Sequence, residues 1–138
     1  MQLDPLLGVH ITRHQQHQAE VNGLRLRYID VGPHDPSERP LLMIHGHTSR
    51  IEEYEELVEV LSQSRRVLVV DLPGCGFSDK PDRPYSLKFY EDTLLGFLDH
   101  LGVGAVDLAG GSLGGNLVLR LGAREPMSVR DSRISSSE

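Results

Sequence analysis

The chain has 138 residues, 38% of them apolar and 25% charged, a composition ordinary for one soluble domain built around one core. Fourteen basic and twenty acidic residues leave a net charge of -6 spread along the chain, which argues against a nucleic-acid or anionic-lipid face and favours a small or neutral ligand. The single cysteine, Cys75, excludes an internal disulfide, and no stretch approaches the roughly 18 consecutive apolar residues of a membrane span.

The first segment, "MQLDPLLGVHITRHQQHQ", lacks a basic run followed by an apolar one, so a cytoplasmic location is expected. Residues 1–18 are polar, rich in His and Gln and without periodicity, and read as a flexible N-terminal extension. His10, His14 and His17 have helix-like spacing but no Cys or carboxylate partners in the pattern, so they read as a solvated tail and no metal is assigned. "AEVNGLRLRYIDVG" then places Asn22-Gly23 between alternating segments, with Leu24, Leu26, Tyr28 and Asp30 opposed to Arg25, Arg27 and Ile29. This is the signature of a hairpin closed by a type I′ turn.

From Leu41 the pattern changes to apolar strands alternating with amphipathic helices. "LLMIHG" is a strand. "TSRIEEYEELVEVLSQS" carries Ile51, Tyr54, Leu57, Val58 and Leu61 at helical spacing, with Ser49 and Glu52 as a capping box. "RRVLVVDLPG" is a second strand, and "YSLKFYEDTLLGFLDHLGV" a helix capped by Ser86 with Tyr90, Leu94, Phe97, Leu98 and Leu101 on one face. "AVDLAGG" and "SLGGNLVLRLGARE" form a third strand and helix, ended by Pro126. Apolar strands bounded by helices imply an α/β fold, a mostly parallel sheet with helices on both faces. His45-Gly46, Asp71 and Gly110-Gly111-Ser112 all fall at carboxyl ends of strands, where ligands gather in such sheets.

Gly110-Gly111-Ser112-Leu113-Gly114 matches G-x-S-x-G. Glycines allow a strand to turn sharply into a helix and leave the serine projecting, with the free amides of the helix start aimed at charge developing beside it. Taken alone, the stretch reads equally as a nucleophile turn or as a glycine-rich packing turn in which Ser112 caps the helix. The order of "HGHT" after the first parallel strand, "DLPGCGFSDKP" after the next and "GGSLGG" after the third resembles the α/β-hydrolase family, its serine esterase and C–C bond hydrolase branch, over about residues 20 to 126.

The resemblance implies that Ser112 is the nucleophile and that the backbone amides of Leu113 and His47 form the oxyanion hole, where removing one donor costs roughly 3 kcal/mol of barrier. It makes His45 a hydrogen-bonded turn residue, the loop from Asp71 to Ser78 a pocket wall, and Cys75 a small filler. Serine at the turn disfavours epoxide opening and halide displacement, which use an Asp nucleophile in that family, and leaves acyl transfer from an ester, thioester, amide or related carbonyl, with no cofactor. In these terms residues 1–18 are the extension, 19–126 the N-terminal part of an α/β-hydrolase domain with about five strands, the hairpin first, and 127–138 a disordered tail.

The family order is Ser, then Asp or Glu, then His, yet no histidine follows Ser112, and the acids that do are Glu125, Asp131 and Glu138. A truncated, weakly active or inactive form is therefore expected, with Val106 and Leu108 on an unpaired sheet edge open to self-association. Two other functions compete. A non-catalytic association module would pair that edge with a copy or another polypeptide. A nucleotide-binding domain would use Gly110 to Gly114, but Ala109 replaces the first glycine of G-x-G-x-x-G, and Asn116-Leu117 excludes a Walker loop.

Overall fold

A computed structural model of the chain describes residues 2–4, 9–124 and 131–132. Strands β1 (Gln2–Asp4) and β2 (Val9–Ile11) pair antiparallel as a small separate ribbon. The main sheet begins with β3 (Gln16–Val21) and β4 (Leu24–Val31), joined by Asn22 and Gly23 at φ 51° and 81°, the two positive values that a type I′ turn needs. β5 (Leu41–Ile44) leads through a 3-10 turn over Ile51–Tyr54 into α1 (Glu55–Leu61). β6 (Val67–Val70), α2 (Leu87–Leu101), β7 (Asp107–Gly110), α3 (Leu113–Arg124) and β8 (Asp131–Ser132) follow.

The sheet order is β3-β4-β6-β5-β7-β8. β3 pairs antiparallel with β4 and β4 antiparallel with β6, whereas β6, β5, β7 and β8 are mutually parallel. This is the α/β fold expected: a mixed, open sheet of five strands from Gln16 to Gly110 with a two-residue sixth at its edge. Alternation sorts the core. Leu42, Ile44, Leu68, Val70 and Leu108 face α2 and α3, where Leu94, Phe97, Leu98, Leu117 and Leu121 close the larger cluster. Leu41, Met43, Val67 and Val69 face Ile51 and Val58 on the other side. Both faces of the parallel strands are dry, which is why β5 and β6 are apolar at every position.

Four sequence expectations are corrected. The extension assigned to residues 1–18 is structured from Val9 onward among the described residues: β3 starts at Gln16, and Thr12 is 3% exposed. As an edge strand, β3 can carry polar side chains outward along its first half, which removes the periodicity that would have revealed it. The expected unpaired edge is paired over half its length: Asp131 and Ser132 pair with Asp107 and Leu108, while Ala109 and Gly110 have no strand partner on that side among the described residues. Those two residues also leave the disordered tail placed over 127–138; the rest of that segment lies outside the described residues. Finally, Ser49 and Glu52 form no capping box. The Ser49 hydroxyl donates to Glu53 at 2.5 Å, and Glu52 turns inward. The cap of Ser86 holds as expected, its Oγ accepting from the Phe89 amide at 3.1 Å.

Candidate active site

β7 ends at Gly110 and α3 begins at Leu113, so the chain reverses within two residues. Ser112 takes up the turn with φ 56°, in the left-handed region that non-glycine residues seldom occupy, and is exposed. The Gly114 amide donates to the Gly111 carbonyl at 3.0 Å and the Asn116 amide to the Ser112 carbonyl at 3.1 Å. Gly114 has to be glycine: a Cβ there would stand 1.9 Å from the Ile44 carbonyl oxygen. Backbone thus packs on backbone between β5 and α3, and only Gly tolerates that approach.

Ile44 pairs with Gly110, so the loop after β5 lies beside the turn. Gly46 lies close to Ser112: a Cβ built on it would meet the Ser112 Cβ at 3.6 Å. The Gly46 carbonyl accepts from His45 Nδ1 at 2.8 Å and from the Ser49 amide at 3.3 Å, in a tight turn that puts Thr48 at φ 55°. The Gly46–His47 peptide is trans, so holding this carbonyl also fixes the opposite direction of the His47 N–H.

His45 is fully buried. Its Nε2 accepts from the Leu72 amide at 2.9 Å, so the hydrogen sits on Nδ1 and is spent on Gly46. Burial lowers its pKa below the ordinary 6.5 against the partial opposition of the Gly46 bond and of Asp71. With both nitrogens engaged, His45 is a turn residue, in line with the sequence reading. His47 is exposed and, with Ser49, Cys75, Lys80, Tyr85 and Tyr90, lines a cleft of about 460 Å³. Burial, followed by the Asp71 charge, raises the pKa of Cys75, which leaves it a thiol.

Sequence reasoning missed the network under these loops. Arg27, 3% exposed, makes four side-chain hydrogen bonds: Nε to Asp71 Oδ2 at 2.7 Å, Nη1 to Glu52 Oε2 at 2.9 Å and Gln16 Oε1 at 3.0 Å, and Nη2 to Glu52 Oε1 at 2.8 Å. The fork of one guanidinium therefore joins two buried carboxylates. Burial works against the Arg27 charge, but Glu52 and Asp71 outweigh it and hold the pKa above the ordinary value. Burial likewise works against the Glu52 carboxylate, and Arg27 and the Thr12 amide more than reverse it.

The fully buried Asp71 also accepts from the amides of Ile51 at 2.8 Å and Phe77 at 2.9 Å, so it caps the 3-10 turn from across the sheet. Phe77 lies over the guanidinium at 4.6 Å. The Thr12 amide donates to Glu52 at 2.9 Å and its hydroxyl to Glu55 at 2.5 Å, which ties the N-terminal segment in. One signal was available: Arg27 alternates with Ile29 on a strand face whose apolar member announces cover.

The structure brings Ser112 together with the loop that carries His47, and makes Leu113 the first residue of α3. It sets the backbone of Asp131 beside Asp107, at the far end of β7 from Ser112. Among the described residues no cluster of three or more His, Cys, Asp and Glu side chains could hold a metal, and no helix is long and apolar enough to cross a membrane.

A family model described as alpha/beta hydrolase fold matches residues 39–136. The chain belongs to the α/β-hydrolase family. It is 37% identical over 95 residues to a 2-hydroxymuconate semialdehyde hydrolase of Pseudomonas sp. (strain CF600), an overlap covering 66% of this chain and 34% of that protein. It is 32% identical over 120 residues to the dihydrolipoyllysine-residue acetyltransferase component of an acetoin cleaving system of Pseudomonas putida, covering 87% of this chain and 32% of that one. Among solved structures it superposes on a membrane phospholipase A, a bacterial virulence factor, with a TM-score of 0.82 and 27% identity, covering 89% of this chain and 40% of the other. The chain thus spans about a third of the length of these curated relatives.

Proposed function

We propose that this α/β-hydrolase chain carries the nucleophilic half of a serine hydrolase site that takes a small acyl substrate, an ester, thioester, amide or related carbonyl, including the C–C bond hydrolase type. The observation that carries the reading is the Ser112 backbone: φ 56° at the junction of β7 and α3, exposed, and beside the Gly46 turn. In this reading the Ser112 Oγ attacks the carbonyl, and the developing oxyanion is met by the amides of Leu113, at the positive end of α3, and His47. The leaving group departs and an acyl-serine forms, which water then hydrolyses.

The proton of Ser112 needs an acceptor. His45 is committed at both nitrogens, and no histidine follows Ser112 in the sequence. The polypeptide as it stands should therefore acylate slowly and turn over feebly, because a site left with binding and oxyanion donors retains only a small part of the full rate. The test follows p-nitrophenyl acetate with wild type and Ser112→Ala, by nitrophenolate release and intact mass. Slow acyl-adduct formation that Ser112→Ala abolishes is expected. Equal reaction of the two proteins would remove Ser112 from the role, and brisk Ser112-dependent turnover by a monomer would overturn the feeble-activity part.

A further inference from the structure

We infer that Arg27 is a positioning residue for the proposed oxyanion donor at His47, acting through Asp71; the inference rests on the serine-hydrolase reading above. The loop from His45 to Ile51 carries the donor and is pinned at both ends. At its start the His45 ring holds the Gly46 carbonyl at 2.8 Å, and at its end the Ile51 amide is held by Asp71 Oδ1 at 2.8 Å. The other Asp71 oxygen accepts from the Arg27 Nε at 2.7 Å and from the Phe77 amide at 2.9 Å, which together aim the carboxylate at that amide.

The same guanidinium holds Glu52, the residue next to Ile51, through both of its carboxylate oxygens. Arg27 therefore fixes two successive residues of the loop end by two routes. It is fixed in turn by its own backbone: the Arg27 amide donates to Ser78 Oγ at 2.9 Å, that hydroxyl to the Asp71 carbonyl at 2.7 Å, and the Asp71 amide to the Arg27 carbonyl at 2.9 Å. A buried polar network in which every guanidinium nitrogen is engaged sets one geometry rather than a range. A lysine keeps the charge but presents no planar fork, so it cannot serve Asp71 and Glu52 together in these directions.

The experiment measures single-turnover acylation by p-nitrophenyl acetate in wild type, Arg27→Lys, Glu52→Gln and Arg66→Gln, well below each melting transition. In that step a bond forms between Ser112 Oγ and the acyl carbon, the ester C–O bond breaks, p-nitrophenolate leaves and the serine proton passes to buffer. Arg66 pairs with Asp30 at 2.8 Å away from the loop, so its variant loses an ion pair without touching the donor.

Arg27→Lys should lower the acylation rate constant about tenfold or more with little change in the half-saturating ester concentration, since misplacement by about 1 Å can cost about 100-fold. Glu52→Gln should lower it several-fold, and it carries the test if Arg27→Lys does not fold. Arg66→Gln should melt earlier yet acylate at the wild-type rate. Wild-type acylation by both network variants, or an equal fall in Arg66→Gln, would overturn the inference while leaving Ser112 as nucleophile. Absence of Ser112-dependent acylation in wild type would remove the functional reading and this inference with it.

Discussion

Two loops flank Ser112, and they are held by opposite means. The turn from β7 into α3 is specified over five consecutive residues by backbone crowding: Gly114 leaves no room for a side chain against Ile44, and Ser112 accepts a left-handed φ. The loop from His45 to Ile51 is specified by a side chain about twenty residues away in each direction, with Arg27 and Asp71 meeting beneath it. The steric turn tolerates almost no substitution but needs only the backbone of β5 as its partner. A buried ionic network tolerates change in the loop itself but fails as a unit when one member is lost.

The sharpest way to break the second region is Arg27→Met, which leaves Asp71 and Glu52 buried without their shared cation. Removing one partner of a buried ion pair typically costs about 3–5 kcal/mol, and urea denaturation should register a loss of that size. A loss below about 1 kcal/mol would mean that the two carboxylates take up protons or water at little expense.

The first region is broken by Gly114→Ala, whose methyl would collide with the Ile44 carbonyl. Overpacking costs about 1–3 kcal/mol, occasionally more. Since both contacting groups are backbone, the loss is expected at the upper end, together with loss of Ser112 reactivity. Retained stability and reactivity would show that α3 can shift away from β5.

The smallest effect sharpens the comparison by pH. His45 has a depressed folded pKa, so its contribution to stability is intact above the ordinary 6.5 and is lost as the pH falls below that value through the folded one. Glu52, also depressed, behaves in the same way below its ordinary 4.5. The melting temperature should therefore decline in two stages on acidification, and His45→Gln should flatten the stage nearer neutrality while leaving the more acidic one. An unchanged profile in His45→Gln would remove His45 from the pH dependence.

The legible parts of the fold were those with short-range causes. Asn22-Gly23 announced its turn because few residues take two successive positive φ values, Ser86 announced its cap, and β5 to β7 announced burial on both faces by unbroken apolar runs. The glycines around Ser112 announced the tight turn. Thr12 and Gln16 were misread because an edge strand carries no apolar period on its open side, and β8 because two residues hold no pattern at all. Ser49 and Glu52 had capping-box spacing, but Arg27 offered Glu52 a stronger partner than a helix amide.

By itself the sequence determined the α/β class, the order of the elements from β3 to α3 and the position of the serine turn, because each follows from residues within a few positions of one another. Only the tertiary structure decided what sits under the site. Arg27, Asp71, Glu52 and Thr12 come from four separate segments, and a charge is stable in the interior only where other segments supply its partners. No local pattern encodes that meeting; it exists once the sheet has brought β4, β6 and the loop after β5 together.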